Sequence, residues 1–160
     1  MSTTATLFSP SLALFATVDA DTFHEAVSKA AGQTRIDSAG RERTFGETVH
    51  VYEPEEYALM ECFLTGDGQT GFALKPTDEG YDLVSVFSTS DRRGEGTRAV
   101  ALAADLGATT LDVMDEDGFL PGYYARFGFE EVGRDTWDDR YAPEGWSGDT
   151  PDIVYMRRAA

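Results

Sequence analysis

Short apolar runs and spaced apolar positions divide this chain into predicted strands and helices. Runs bounded by Gly, Asp or Pro predict strands, whereas apolar residues three or four positions apart predict helices. The predicted strands cover residues 12–18, 71–75, 82–88, 109–114, 129–137 and 152–157, and residues 48–52 are a possible further short strand. A turn at residues 78–80 joins 71–75 to 82–88 as a pair.

Four predicted helices lie between these strands. The first has Thr22 as N-cap with Glu25 three residues later, a capping-box pattern, and ends at Gly32. The second begins near Pro54 and places Tyr57, Met60, Glu61 and Leu64 on one side. The third runs from Gly96 to Leu106 before Gly107, and the short fourth covers about 120–127 before Gly128. Residues 33–47 are polar and predicted to be irregular.

This order predicts one domain. Without the doubtful 48–52 strand it is β-α-α-β-β-α-β-α-β-β, which indicates an α/β fold with a mixed sheet and helices on both faces. The chain has 160 residues, of which 41% are apolar, enough for a core of its own. We find no repeat or linker, so residues 1–160 are predicted to be a single domain, with about the first ten a candidate for disorder.

Charge and composition narrow the function classes. The chain carries 29 acidic against 13 basic residues, a net charge of −16. Direct nucleic-acid binding is not expected, because no basic face exists beyond residues 92–98. An acidic mimic of DNA is an alternative, although the carboxylates are dispersed through loops and strands. The acidic runs 115–117 and 138–139 either attract a cationic amine or are solvated surface.

Cysteine and histidine usage points to a cytoplasmic protein without a metal site. The lone Cys62 cannot form an internal disulfide and lies in an apolar stretch, so it is predicted to be a core residue. His24 and His50 are far apart and lack the spacing of metal ligands. Neither a signal peptide nor a membrane span is predicted, since no run approaches 18 apolar residues.

Positive charge gathers on one glycine-rich turn. Arg92, Arg93 and Arg98 surround residues 94–97, after the apolar run 83–87 and before a predicted helix. A helix N-terminus of this kind favours a phosphate, because its N–H groups and dipole attract anions. The alternative is a surface loop capped by arginines.

Three motifs in this order resemble the GNAT superfamily of acyl-CoA-dependent N-acetyltransferases. They are Arg93-Gly94-Glu95-Gly96-Thr97-Arg98, Tyr124-Ala125-Arg126-Phe127-Gly128-Phe129 and Tyr155-Met156-Arg157. Arg98 stands where the family usually has a small residue. Ser85-Val86-Phe87 and Tyr141-Ala142-Pro143-Glu144-Gly145-Trp146 are similar to segments of small GNAT-like proteins of viruses and prophages. One clear strand, 71–75, precedes 82–88, so the family's second strand is predicted to be missing, short or formed by 48–52.

The resemblance implies acetyl-CoA as co-substrate, an amine of a small molecule or protein as acceptor, and a monomer or homodimer. The residues it assigns to the coenzyme are Val86, Phe87, Arg92, Arg93, Gly94, Glu95, Gly96, Thr97 and Arg98. A further set, Trp137, Tyr141 and Trp146, forms an aromatic loop that is a lid on the acceptor, a partner surface or a cover for the core.

For catalysis the resemblance implies Tyr124 as the acid that protonates the thiolate. The alternative is that Tyr123 and Tyr124 are both core aromatics; Tyr123 is expected to be the packing residue. No general base is evident, although Glu61 and Asp112 are conceivable. The second hypothesis is a catalytically inactive protein of this fold that acts as a virus-associated or host-interacting binding module.

Overall fold

The computed structural model describes residues 14–36, 40, 42–44, 49–90, 94–115, 119–136 and 152–159. Strands and helices alternate along these residues. In chain order they are β1 (Phe15–Val18), α1 (Ala20–Ala31), β2 (Thr34–Ile36), β3 (Glu42–Thr44), α2 (Pro54–Tyr57), β4 (Glu61–Thr65), β5 (Thr70–Thr77), β6 (Gly80–Ser88), α3 (Glu95–Asp105), β7 (Ala108–Asp115), α4 (Phe119–Ala125), β8 (Glu130–Asp135) and β9 (Asp152–Arg157).

A seven-stranded sheet in the order β1-β4-β5-β6-β7-β9-β8 forms the centre of the fold. All neighbouring strands are antiparallel except β6 and β7, which run parallel. Their register pairs Tyr81 with Ala108 and Asp82 with Thr110, near the start of each strand. Beyond these pairs the described parts of β6 and β7 diverge, and the sheet opens at its middle.

Each face of the sheet carries its own apolar core. On one face α3 and α4 cover a core that includes Phe72, Val100 and Leu111. On the other face α1 and α2 cover a second core that includes Phe23 and Tyr57. The predicted α/β class, a mixed sheet with helices on both faces, is therefore confirmed.

The first helix begins earlier than predicted. Asp19 is its N-cap, and its Oδ1 accepts a hydrogen bond of 2.7 Å from the backbone N of Thr22. The predicted cap at Thr22 with Glu25 is wrong, because β1 ends at Val18 and α1 follows after Asp19 alone. The Asp19 carboxylate thus satisfies an N–H of the first turn that would otherwise lack a partner.

The predicted second helix is wrong beyond its first turn. Helix α2 ends at Tyr57, and Glu61–Thr65 is the strand β4, which lies between β1 and β5. Residues 62–65 are all buried, with Phe63 in one core and Cys62 and Leu64 in the other. A strand covered on both faces loses its alternation, so its apolar run cannot be distinguished from a helix by spacing. Strand β4 is the strand of the seven-stranded sheet that the sequence analysis could not find.

The segment between α1 and α2 also differs from prediction. Residues 34–36 and 42–44 pair as a small antiparallel hairpin within the stretch predicted to be irregular. Residues 49–53 form no strand. The backbone N of Tyr52 donates to Tyr57 Oη (3.1 Å), and that of Glu53 donates to the Glu56 carboxylate (3.1 Å). Bonded to side chains in this way, these donors are not available to a neighbouring strand.

The second half of the chain matches the predicted order. Strands β5 and β6 pair across the expected turn, and α3, β7, α4, β8 and β9 follow within a few residues of their predicted bounds. Gly107 and Gly128, after α3 and α4, have φ of +109° and +93°, the left-handed conformation that favours glycine. None of the helices the structure describes could cross a membrane, since they are too short or too polar.

Candidate active site

A cleft of about 860 Å³ lies where β6 and β7 diverge. Its walls come from residues 49–52, from 83–86 of β6, from 111–114 of β7, and from Leu120 and Tyr124 of α4, with Ala31, Ile153 and Tyr155 completing the lining. A volume of this size is typical of small-molecule sites. Because the cleft passes between two strands, it is accessible to groups on both faces of the sheet.

A bulge in β6 shapes one wall of the cleft. Ser85 and Val86 stand together opposite Phe72 of β5, and Ser85 has a φ of +54°. A left-handed conformation is uncommon for a residue other than glycine and is maintained by its surroundings. Here the Ser85 hydroxyl donates to the carbonyl oxygen of His50 (2.8 Å) and lies 2.8 Å from Tyr57 Oη. These bonds fix residues 49–52 against the bulge.

The two residues after Ser85 differ in whether their side chains reach the cleft. Val86 is half-buried and lines the cleft. The Phe87 side chain is buried in the core, with its ring centroid 6.1 Å from that of Phe23. Phe87 can therefore contribute only its backbone to a ligand in the cleft.

The start of α3 presents backbone N–H groups. Its N-cap, Gly94, is left-handed with a φ of +83°, and the Arg98 N–H donates to the Gly94 carbonyl oxygen (2.9 Å). The N–H groups of Gly96 and Thr97 precede this bond, so they take no part in the helix's own hydrogen bonding. Arg98 is exposed in the same turn. Arg92 and Arg93 lie outside the described residues.

The Glu95 side chain is directed into the protein, away from the free N–H groups at the start of α3. Its side chain is 2% exposed, and its carboxylate accepts a hydrogen bond of 3.0 Å from Thr70 Oγ1. Thr70 Oγ1 also lies 2.9 Å from Ser88 Oγ. The carboxylate thus joins the start of α3 to β5 and β6, and only the backbone of Glu95 is placed to meet a ligand.

Tyr124 lies on the α3 and α4 side of the cleft. It is 7% exposed, and its ring packs edge-on against Tyr123 and Phe129. Its Oη forms no hydrogen bond with any described residue, although the residue lines the cleft. Burial raises the pKa of the Tyr124 phenol above its ordinary value of 10.0, with a smaller contribution from Tyr123. The hydroxyl is therefore protonated at neutral pH and can donate a proton.

Tyr123 faces a different direction. Its Oη lies 3.1 Å from Thr97 Oγ1, in the first turn of α3. Its ring also packs against Phe127. The residue predicted to pack does so, and in addition its hydroxyl contacts the glycine-rich turn.

Asp112 of β7 lines the opposite side of the cleft, and a second carboxylate that the sequence analysis did not identify, Asp82 of β6, is bonded to the same strand. Asp82 Oδ1 accepts a hydrogen bond of 2.8 Å from Thr110 Oγ1 on β7, two residues before Asp112. Burial raises the pKa of the Asp82 carboxyl, and the negative charge of Asp112 raises it further. Burial also raises the pKa of Tyr52, as do the charges of Asp112 and Asp82. The three side chains are therefore neighbours. They come together through the parallel register of β6 and β7, which no motif or apolar period in the sequence reports.

The remaining candidates lie elsewhere. Glu61, the other conceivable base, is exposed on β4 and does not line the cleft. The loop residues Trp137, Tyr141 and Trp146 are outside the described residues. Within the described ranges no three His, Cys, Asp or Glu side chains could together hold a metal ion. Cys62 is buried, and burial raises the pKa of its thiol to about 11.

Solved structures share this fold. An acyl-CoA N-acyltransferase from Pseudomonas aeruginosa superposes with a TM-score of 0.56 over 91% of this chain and 99% of its own, at 15% identity. A GNAT-family acetyltransferase from Streptococcus pneumoniae gives 0.55 over 89% and 96%, at 16% identity. A GNAT-family acetyltransferase from Elizabethkingia anophelis, solved with acetyl-CoA bound, gives 0.51 over 80% and 97%, at 13% identity.

No protein-family model matches the sequence, and no curated protein sequence does so either. The solved structures show that the chain has the GNAT fold, as the three motifs predicted.

Proposed function

We propose that this protein is an N-acetyltransferase that moves the acetyl group of acetyl-CoA to a primary amine of a small molecule or protein. The observation that carries the proposal is the opening between the parallel strands β6 and β7, with the β6 bulge on one wall and the unpartnered Tyr124 phenol inside. An extended thioester arm fits between diverging strands, where backbone groups are not used by the sheet. The acetyl-CoA bound to the Elizabethkingia protein of the same fold supports this choice of co-substrate.

The first turn of α3 is the proposed site of the coenzyme's pyrophosphate. The N–H groups of Gly94, Glu95, Gly96 and Thr97 would face the phosphate oxygens, with the helix dipole adding to the attraction. The guanidinium groups of Arg92, Arg93 and Arg98 would supply planar, charge-assisted hydrogen bonds to the same oxygens. Val86 and Phe87, at the bulge, would lie along the pantetheine arm and offer backbone groups to it and to the thioester carbonyl.

Acetyl transfer from a thioester to an amine depends more on the correct positioning of the two reactants than on reactive side chains. A neutral amine nitrogen attacks the thioester carbonyl carbon, a C–N bond forms and the C–S bond breaks. The Tyr124 phenol donates its proton to the departing thiolate and recovers one from solvent, while the acetylated nitrogen releases its extra proton to water. The phenol is protonated at neutral pH, as a proton donor must be, and it lines the cleft that the thioester would enter.

The acceptor is proposed to enter beside the aromatic loop residues Trp137, Tyr141 and Trp146. These aromatic residues are suited to form the walls of an acceptor pocket, because aromatic side chains provide large contact areas. We also propose a cytoplasmic location and a likeness to small viral and prophage proteins; this likeness depends on residues 85–87 and 141–146.

Two measurements on the full chain test the proposal. Thermal unfolding is followed with acetyl-CoA, CoA and adenosine as separate additions. A ligand at a hundredfold excess over its Kd stabilises the native state by about 2.7 kcal/mol, so acetyl-CoA and CoA should raise Tm while adenosine should not. Free thiol is then measured after adding acetyl-CoA with a set of primary amines.

The outcomes separate the two hypotheses that keep this fold. Stabilisation by CoA together with amine-dependent thiol release supports the acetyltransferase. Stabilisation without thiol release for any amine supports the inactive binding module, which the unusual Arg98 in the phosphate turn favours. A Tm that responds to neither coenzyme form contradicts both.

A further inference from the structure

Three hydrogen-bonded side chains join the glycine-rich turn at residues 94–97 to the sheet. Thr70 Oγ1 at the start of β5 lies 2.9 Å from Ser88 Oγ at the end of β6. The same Thr70 hydroxyl donates to the carboxylate of Glu95, the first residue of α3, at 3.0 Å. Thr70 is fully buried and Glu95 is 2% exposed. The three side chains therefore connect the end of β6 with the start of the next helix.

The direction of these hydrogen bonds follows from the number of protons available. A hydroxyl carries one proton, and Thr70 donates its proton to Glu95, so the Ser88 hydroxyl must donate to Thr70. Thr70 and Ser88 are also register partners in β5 and β6, which fixes the distance between their side chains. The Glu95 carboxylate is thus held by a donor whose own position is set by the sheet.

The position of Glu95 determines where the neighbouring N–H groups point. Gly96 and Thr97 follow Glu95 directly, and their N–H groups take no part in the hydrogen bonding of α3. The turn also packs on the sheet, since a Cβ built at Gly96 would lie 3.7 Å from Ser88 Cβ. A shift of the Glu95 side chain would therefore change the direction of both N–H groups.

The sign of the Glu95 charge distinguishes a role in position from a role in attraction. The helix dipole favours a negative charge in the first turn, but the same charge repels an anionic ligand at that end of the helix. If the charge were all that mattered, its removal would strengthen phosphate binding. A loss of phosphate binding on removal would instead report a change in the position of the turn.

We infer that Glu95 is a positioning residue, which through Thr70 and Ser88 holds the N–H groups of Gly96 and Thr97 in the direction that the coenzyme's pyrophosphate requires. The inference rests on the proposed function, in which the pyrophosphate binds at this turn. The three side chains act on the coenzyme through the backbone of the turn. Their loss should therefore affect the binding of the phosphates and leave acetyl transfer itself unchanged.

The test compares CoA with pantetheine, which lacks the pyrophosphate and the nucleotide. Calorimetry gives the Kd of CoA, competition against CoA gives that of pantetheine, and thiol release from acetyl-CoA with the set of primary amines gives kcat and KM. The variants are Glu95→Ala and Thr70→Val, with Glu95→Gln and Thr70→Ser as conservative replacements. The controls Glu25→Ala and Thr17→Val remove a carboxylate and a hydroxyl from exposed positions of α1 and β1.

Glu95→Ala and Thr70→Val should each raise the Kd of CoA and the KM for acetyl-CoA about tenfold, the scale of one lost hydrogen bond to a charged group. The Kd of pantetheine and kcat should change less than about twofold, because neither depends on the phosphates. Glu95→Gln and Thr70→Ser should restore most of the affinity, since glutamine keeps an acceptor oxygen and serine keeps the hydroxyl. Both controls should leave the Kd of CoA nearly unchanged.

Tighter binding of CoA to Glu95→Ala would overturn the inference, because Glu95 would then act through its charge alone. Equal losses for CoA and pantetheine would also overturn it, since they would indicate a general disruption of the cleft. If Glu95→Ala does not fold, the comparison of Thr70→Val with Thr70→Ser decides, and equal affinity of these two variants for CoA contradicts the inference.

A wild-type protein that does not bind CoA contradicts the proposed function instead. Hydrogen exchange without ligand then tests the position of the turn. The Arg98 N–H, which donates to the Gly94 carbonyl oxygen, should exchange faster in Glu95→Ala and Thr70→Val than in the wild type and the controls. Equal exchange in all of these proteins would show that Glu95 does not hold the turn.

Discussion

Tyr123 Oη and Thr97 Oγ1 lie 3.1 Å apart, which joins α4 to the first turn of α3. The neighbouring Tyr124 contributes nothing to this contact; its phenol lies in the buried wall of the cleft between β6 and β7. The two adjacent tyrosines thus lie in two different parts of the proposed site. Tyr123 contacts the glycine-rich turn at residues 94–97, where the phosphates are proposed to bind. Tyr124 lines the cleft, where the thioester is proposed to lie. Substitution of each should affect a different kinetic constant.

Tyr124→Phe should lower kcat by about 10²–10⁴-fold and leave the KM for acetyl-CoA nearly unchanged, because a positioned acid acts mainly in the transition state. The hydroxyl has no described partner, so its removal should leave Tm within about 1 °C of the wild type, as a surface change would. Steady-state thiol release and thermal unfolding check both expectations. A variant with full kcat would show that the thiolate is protonated by another group or by water.

Tyr123→Phe should have the converse effect. Loss of the Tyr123 hydroxyl removes a hydrogen bond that holds Thr97 in the glycine-rich turn at residues 94–97. We therefore expect the KM for acetyl-CoA to rise several-fold, with kcat close to that of the wild type. Should Tyr123→Phe instead abolish turnover while Tyr124→Phe is silent, the assignment of the acid to Tyr124 is wrong.

The substitution Gly96→Ala tests whether glycine is required at this position for folding or for ligand binding. A Cβ at Gly96 would come no closer to the rest of the protein than 3.7 Å, at Ser88 Cβ, so the fold has room for it. Alanine in a helix is more favourable than glycine by about 0.5–1 kcal/mol, which predicts an unchanged or higher Tm. If the phosphates approach this backbone closely, the added methyl should weaken CoA binding at least tenfold in a calorimetric titration.

Gly122→Ala is the matched control, since a Cβ there would meet no described atom within 4 Å and the residue is exposed on α4. It should alter stability in the same sense and leave CoA affinity within twofold. Equal affinity of Gly96→Ala and the wild type for CoA would remove the phosphate site from the first turn of α3.

The glycines and the apolar periods predicted the second half of the fold, since the two helices there are followed by glycines with a strong local preference. Gly107 and Gly128 are examples, because their left-handed conformation stops α3 and α4. The first half was harder to predict. Strand β4 is buried on both faces, and its apolar run at Cys62, Phe63 and Leu64 carries no period that separates a strand from a helix.

The residues of the candidate site also differ in how well the sequence predicts them. Tyr124 and Gly94–Thr97 belong to local motifs, so the sequence could locate them. Asp82 and Tyr52 belong to none, because they come together through the register of β6 with β7 and through the bonds of the Tyr57 hydroxyl to Tyr52 N and Ser85. Such pairings join residues that are distant in the chain, which periodicity does not report.

Ser85→Ala should destabilise the native state by about 1–3 kcal/mol, the cost of leaving buried polar groups without partners. The lost hydroxyl bonds both the His50 carbonyl oxygen and Tyr57 Oη, so residues 49–52 should also become more open to hydrogen exchange. Ser28→Ala, at an exposed position of α1, is the control and should be nearly neutral. A Ser85→Ala protein as stable as the wild type would show that the bulge is fixed by packing rather than by these bonds.

Asp82→Asn should make the ligand-free protein more stable at neutral pH. Burial first, and then the charge of Asp112, raise the pKa of Asp82 above 3.8, while Thr110 and Lys75 oppose this in part. The folded state therefore pays to ionise Asp82, and the penalty develops as pH rises from 3.8 through the raised pKa. Asparagine removes that penalty and can still accept the Thr110 hydrogen bond. The gain in Tm should be largest at pH 7–8 and vanish near pH 3. A lower Tm for Asp82→Asn at pH 7 would show that the Asp82 carboxylate stabilises the folded protein instead.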